Sequence, residues 1–329
     1  MRRRAFLALL GAAGPMLAWS RAAGAQASSG VPRIGFLTTQ AAGAPYTDRK
    51  ALVEGLRALG YVEGKTIEIV DRSANGDESA LPRLATELVA LDVAVIVALA
   101  PPLVLAAQAA TGTIPIVMRT TIDPVRAGFT TSLAHPDRNI TGVSSASGAL
   151  YAKRLELLKE LVPGLSRVAV LRNEATPTGQ DYLADVKDAA RTLGLALDPV
   201  SAEHPADFAD AFEAGIKAGA QALLPLRDPT VVRNRRLIAE LALAHRLPAI
   251  YDDRQFVDVG GLASYGADLA ALHRRAAYYV DRILKGAKPA DLPIEQPTRF
   301  ELVINQRTAT AMEFAIPPSI MLRADEVIE

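Results

Sequence analysis

The sequence contains no cysteine, which excludes disulfides, zinc–thiolate sites and thiol nucleophiles. Any chemistry must therefore come from oxygen and nitrogen groups. Histidine is scarce as well: His135, His204, His245 and His273 are scattered through 329 residues, at none of the spacings that bring two imidazoles onto one metal. Each reads as a surface or helix-end residue. No G-x-G-x-x-G follows a strand-like run, so a dinucleotide site has no support. Gly60-Tyr61-Val62-Glu63-Gly64-Lys65-Thr66 resembles a phosphate loop only at a glance. Its glycines are too close together, and it precedes a strand where a phosphate loop follows one. Ser144 and Ser145 follow Gly142 without forming a G-x-S-x-G elbow. Long uninterrupted apolar runs are also missing after the amino terminus. Residues 93–107 carry Pro101-Pro102 at their centre, which fits a buried strand turning into a helix and not a membrane span.

What is present begins with a compositionally separate segment, residues 1–25. Arg2, Arg3 and Arg4 precede an apolar run, and Ala23-Gly24-Ala25 precedes Gln26. That order of positive, apolar and small residues is a secretory signal peptide, and Arg3-Arg4-Ala5-Phe6-Leu7 equally fits a twin-arginine signal. With no cysteine at the cleavage point, a lipid anchor is not expected. Setting aside Arg2, Arg3, Arg4 and Arg21 leaves 32 basic residues (36 less four) against 36 acidic, a mature chain of net charge minus 4. Such a chain has no electrostatic footprint for nucleic acid. At 50% hydrophobic and 22% charged, it can bury a core and divide into two domains.

An internal echo shows where the division falls. Arg167-Val168-Ala169-Val170-Leu171-Arg172-Asn173 repeats the pattern of Arg33-Ile34-Gly35-Phe36-Leu37-Thr38-Thr39, 134 positions later (167 less 33). Leu193-Gly194 repeats Leu59-Gly60 at the same offset, and Leu247-Pro248-Ala249 follows Ile114-Pro115-Ile116 at 133 (247 less 114). A period this long describes a duplicated domain and not a solenoid. Within each copy, short apolar strands alternate with amphipathic helices. Strands are expected at 33–38, 66–70, 93–98 and 114–118, then at 167–171, 195–200, 222–226 and 248–251. The helices between them include 231–245, and residues 262–265, 269–284, 300–305 and 308–314 continue the alternation beyond the repeat. The pattern predicts an α/β fold with parallel sheets covered on both faces.

In open parallel sheets, ligands bind beyond the carboxyl ends of the strands. Those ends supply Thr38, Thr39 and Gln40; Leu99 and Ala100; Arg119, Thr120 and Asp123; Arg172 and Asn173; Arg227 and Asp228; Asp252 and Asp253. Three of them are arginines, whose planar forks suit carboxylate or phosphate. Either they hold an anionic ligand, with Asp123, Asp252 or Asp253 receiving an ammonium or hydroxyl, or they pair with those same acids.

Leu155-Glu156-Leu157-Leu158-Lys159-Glu160-Leu161-Val162-Pro163, Leu247-Pro248-Ala249-Ile250-Tyr251, Gly260-Gly261-Leu262-Ala263-Ser264-Tyr265-Gly266 and Phe300-Glu301-Leu302-Val303-Ile304-Asn305 carry a family likeness over essentially the whole mature chain. The sequence resembles the substrate-binding proteins of ABC importers, in the family that includes tryptophan and tyrosine binders. The resemblance implies a type I periplasmic binding protein: two Rossmann-like lobes, residues 31–145 plus about 264–297 and residues 146–263 plus about 298–329, joined by three crossover strands. It also places the ligand between the lobes, the strand-end loops above around it with Tyr251 added to Asp252 and Asp253, and Tyr265 to Asp268 near the hinge. Relatives usually carry small or apolar residues at Arg119, Arg172 and Arg227, and this departure directs the expectation to a small organic anion, an amino acid or a related acid. The expected role is capture of that solute in the periplasm by hinge closure and delivery to an ABC permease. It requires no cofactor, no metal, no catalysis and no oligomer. A secreted hydrolase or a ligand-presenting sensor subunit are the competing readings.

Overall fold

The computed structural model describes residues 30–40, 47–145 and 147–329, apart from the side chains of 47, 147–149, 177–179 and 181. The signal peptide expected at 1–25 lies outside the described residues. The first half of the chain runs β1 (Arg33–Thr38), α1 (Thr47–Ala58), β2 (Glu68–Ser73), α2 (Leu81–Ala90), β3 (Val95–Ala98), α3 (Pro101–Ala110), β4 (Ile116–Thr120) and β5 (Ile140–Ser144). These strands form one parallel sheet in the order β2-β1-β3-β4-β5. Its interior strands are apolar on both faces because helices cover both. Ile34, Phe36, Val95 and Val97 pack against Leu52 and Leu56 of α1. The alternate positions Leu37, Ile96 and Ala98 pack against Leu84 and Leu88 of α2 and Leu103 and Val104 of α3.

The second half repeats the plan with α4 (Ser147–Leu161), β6 (Arg167–Arg172), α5 (Pro177–Leu193), β7 (Ala196–Ser201), α6 (Asp207–Lys217), β8 (Ala222–Pro225), α7 (Pro229–Arg233), α8 (Arg235–Ala244), β9 (Ile250–Tyr251), α9 (Arg254–Val257) and β10 (Ala263–Gly266). Strands β7-β6-β8 are contiguous, and a bridge from Leu223 to Ala249 joins them to β9-β10. The order β7-β6-β8-β9-β10 therefore reproduces β2-β1-β3-β4-β5. Then α10 (Leu269–Leu284) returns to the first sheet, where Ala276, Ala277 and Val280 join the β1 and β3 core. The chain crosses back as β11 (Glu301–Asn305), which pairs antiparallel with β10, and ends in α11 (Gln306–Ala311), α12 (Pro318–Met321) and β12 (Glu326–Ile328).

The helix expected at 231–245 is two helices. Asp228 starts α7 early by accepting from Thr230 N, and Asn234, whose Nδ2 donates to Thr230 O at 2.8 Å, separates α7 from α8. The closing strand β12 was not anticipated, because three residues are too few to show a period of two.

A candidate ligand cleft between the two sheets

A cavity of about 460 Å³ opens beyond the carboxyl ends of β1, β3 and β4 on one side and β8 on the other. Eight of the strand-end residues line it: Thr38, Thr39, Gln40, Leu99, Ala100, Arg119, Arg227 and Asp228. One wall is apolar, built by Pro101, Pro102, Leu103 and Leu105 of α3 with Ile122, and faced by Pro229 and Val232 of α7. The prolines have a second effect. A helix amino terminus ordinarily offers free N–H groups to an anion, but Pro101 and Pro102 carry none, and the amides of Leu103 and Val104 already donate to Ala100 O at 3.1 Å. Charge in this cleft is therefore read by side chains.

Arg119 is 4% exposed; its Nε donates to His273 Nε2 at 3.2 Å, and its Nη2 lies 4.0 Å from Asp48 Oδ2. Burial, and then the neighbouring charge of Arg227, pull its pKa down to about 10, which leaves it charged at neutral pH. Because Arg119 donates to Nε2, the His273 proton resides on Nδ1, 3.4 Å from Asp48 Oδ1. Burial, opposed by Asp48 and assisted by the two arginines, depresses the His273 pKa to about 4. His273 is thus a buried neutral acceptor and not the surface residue expected from its isolation in the sequence. Across the cleft, Arg227 Nη1 meets Asp252 Oδ2 at 2.7 Å and Asp253 Oδ2 at 3.4 Å. Burial disfavours the Arg227 charge, but the two carboxylates more than reverse this and raise its pKa. Burial raises Asp253, whereas for Asp252 Arg227 and Arg154 outweigh burial and hold it below the usual range.

The other eight expected site residues do not line the cavity wall. Arg172 pairs with Glu174 at 2.7 Å, so three converging arginines become two. Asn173 lies behind Asp228, donating to its Oδ1 at 3.3 Å. Asp123 is exposed and closes a turn by accepting from Val125 N at 2.8 Å, and Thr120 is buried with its Oγ1 accepting from Ile122 N at 3.3 Å. Tyr251 stacks on Phe256 with ring centroids 4.5 Å apart inside the second core, and Asp252 serves Arg227. Tyr265 gives its carbonyl to Arg154 Nε at 2.8 Å where the chain crosses between sheets. Asp123, Asp252 and Asp253, the acids expected near a ligand ammonium, each accept from protein donors, and none of them lines the cavity.

The wall also contains residues that strand ends do not mark, among them Asp48, Glu78, Thr121, Thr176 and Tyr182. Asp48 and Tyr182 sit in helices α1 and α5, and no strand-end signal could have singled them out. Tyr182 Oη donates to Thr121 Oγ1 at 3.0 Å, a buried contact between the halves, and Arg126 Nη1 meets Asp185 Oδ1 at 3.3 Å outside it. Among the described residues, no group of three or more His, Asp or Glu could hold a metal, and no helix is long and apolar enough to cross a membrane.

Two sheets of one strand order, crossed three times by the chain and enclosing a cavity at their carboxyl ends, define the type I periplasmic binding protein fold. Residues 40–328 match the family described as ABC transporter substrate binding protein, and the chain belongs to that family. It is 28% identical to a conserved domain protein from Vibrio cholerae, with a TM-score of 0.84 over 91% of this chain and 100% of the other. A Streptococcus pneumonia ABC domain in complex with L-Trp is 25% identical, with a TM-score of 0.82 over the same shares. The tyrosine-binding protein of Clostridioides difficile is 26% identical over 265 residues, 80% of this chain and 76% of that one.

Proposed function

We propose that this protein is the exported solute-binding component of an ABC importer, enclosing one amino acid with an apolar or aromatic side chain and presenting it to a membrane permease. The observation that carries this reading is the pairing, on one cavity, of two guanidiniums from opposite sheets with a wall of prolines and leucines. A carboxylate reaching Arg119 and Arg227 would touch both lobes and so bind the closed form selectively, which is the differential affinity that closure requires. The apolar wall takes the side chain, and 460 Å³ is a volume suited to a small ligand. Relatives that bind tyrosine or hold L-Trp support the same class.

A ligand with a second carboxylate fits less well than the arginines alone implied. Arg227 is already neutralised by Asp252 and Asp253. The other charges on the wall, Arg119 and Arg233 against Asp48, Glu78 and Asp228, leave no surplus of positive charge.

Calorimetric titration with L-tyrosine, L-tryptophan, L-leucine, L-glutamate and glucose tests the reading. An apolar or aromatic amino acid is expected to bind best, and Arg119→Ala to lose at least about 10-fold in affinity while keeping its far-UV spectrum. Tight binding of glucose, or of any ligand unaffected by Arg119→Ala, would overturn it.

A further inference from the structure

Asp228 is 2% exposed, yet it lines the cavity. Its Oδ1 accepts from Thr230 N at 2.7 Å and from Asn173 Nδ2 at 3.3 Å, and these two donors fix the plane of the carboxylate. Its Oδ2 has no hydrogen-bond partner at all and is shut off from solvent. Arg227, the adjacent residue, directs Nη1 to Asp252 and Asp253 instead. Buried polar atoms are almost always satisfied in folded proteins, and an ionised oxygen without a donor is costly. The cleft is therefore missing a donor at this one position.

We propose that Asp228 Oδ2 is the site for the ligand's ammonium, and that this residue sets the requirement for an amine beside the carboxylate. The assignment rests on the amino-acid reading above and adds to it which side chain enforces it. Asp48, a second acid on the wall, is turned to Arg119 and His273. Glu78, the third acid on the wall, is only partly buried and feels the charges of Asp228 and then Arg233; it adds negative charge near Asp228 and supplies no donor to Oδ2. An acid lacking the amine leaves Oδ2 stranded as the lobes close, so it is rejected by the cost of an unmet buried charge and not by shape.

The test compares L-tyrosine with 3-(4-hydroxyphenyl)propionate and L-tryptophan with indole-3-propionate, each pair differing only in the amine, on the wild type and on Asp228→Asn. Asparagine keeps the Oδ1 acceptor and is as good a helix cap as aspartate, so the fold is retained, which the melting temperature verifies. The wild type is expected to prefer the amine-bearing member by about 10- to 100-fold, the range for one hydrogen bond to a charged group. Asp228→Asn is expected to lose that preference through weaker amino-acid binding, with the des-amino acids unchanged or tighter. Equal affinities for both members in the wild type would overturn the assignment, leave the carboxylate reading standing, and mean that Oδ2 takes a structural water. An equal loss for both members in Asp228→Asn would also overturn it. If neither member of either pair binds the wild type, the amino-acid reading itself fails and takes the assignment with it. The wild-type comparison decides the question even if the variant does not fold.

Discussion

Arg119 keeps its charge while almost wholly buried, and neutral His273 of α10 orients it by accepting from its Nε, so this histidine acts on the cavity wall through Arg119. Around that imidazole stand Asp48, Arg119, Arg227 and Asp268. Its pKa is depressed from 6.5 to about 4. An unfolded chain therefore takes up a proton below pH 6.5 that the folded protein refuses, so stability present at neutral pH is lost as pH falls from 6.5 towards 4. Between pH 7 and pH 5 the loss from this group amounts to roughly 2 kcal/mol. His273→Gln can still accept from Arg119 but does not titrate, and urea unfolding should show a smaller loss of stability over that interval in the variant than in the wild type. Equal losses in both proteins would rule out His273 as the source. The sequence marked Arg119 and Arg227 because both end strands, but it hid their partners. Asp48 and Tyr182 reach the cleft, and His273 reaches Arg119, from helices distant in the chain, and only the tertiary fold brings them together. It also overcounted Arg172, since the strand-end rule says where a residue sits and not whether Glu174 is nearer than the ligand.

At the scale of elements, strands were the most legible parts, because a parallel sheet covered on both faces forces near-continuous apolar runs such as Val95 to Ala98 and Val168 to Leu171. Helix boundaries depended on side-chain caps, and α7 and α8 separate at an Asn–backbone bond that no periodicity records. Gly142 illustrates a constraint that neither pattern carries. It lies in β5 at φ +134, and a Cβ there would stand 2.1 Å from Met118 O and 2.8 Å from Met118 N in β4. Both the left-handed backbone and the neighbouring main chain exclude a side chain, and backbone cannot move aside as a rotamer can. Gly142→Ala is expected to destabilise the protein by roughly 3 kcal/mol in chemical denaturation. Gly112, where an added Cβ meets nothing within 4 Å, serves as the control, and Gly112→Ala should stay within about 0.5 kcal/mol of wild type. A Gly142→Ala protein as stable as Gly112→Ala would show that β4 and β5 can separate.

The molecule as a whole behaves as two sheets that meet at the cleft through a few side chains, and those contacts act on affinity without touching the ligand's charges. Tyr182 of α5 and Thr121 beyond β4 share a buried hydrogen bond at 3.0 Å, and Arg126 and Asp185 form an ion pair on the outer side. Each contact links the two halves across the cleft, so each is expected to break on opening, to lower the free energy of the closed state and to raise apparent affinity by increasing the fraction of protein that is binding-competent. Tyr182→Phe keeps the ring and its packing against Tyr151, removing only the hydroxyl. The expected effect is a 3- to 10-fold rise in Kd, about the net worth of one hydrogen bond. Tyr182 also lines the cavity, so the hydroxyl's effect on closure must be separated from contact with ligand. Asp185→Asn provides the separation, because Asp185 is on the same face of contact but not on the wall. A partly exposed ion pair contributes at most about 1 kcal/mol and is screened by salt. Its loss should raise Kd by no more than about 5-fold in low salt and have no effect in 1 M NaCl. Small-angle scattering of the ligand-free proteins should show a larger radius of gyration for both variants than for the wild type. With saturating ligand, all three should converge. If the variants bind as tightly as the wild type and scatter identically without ligand, the two contacts do not govern closure, and the open-to-closed balance must be set by the chain crossings themselves.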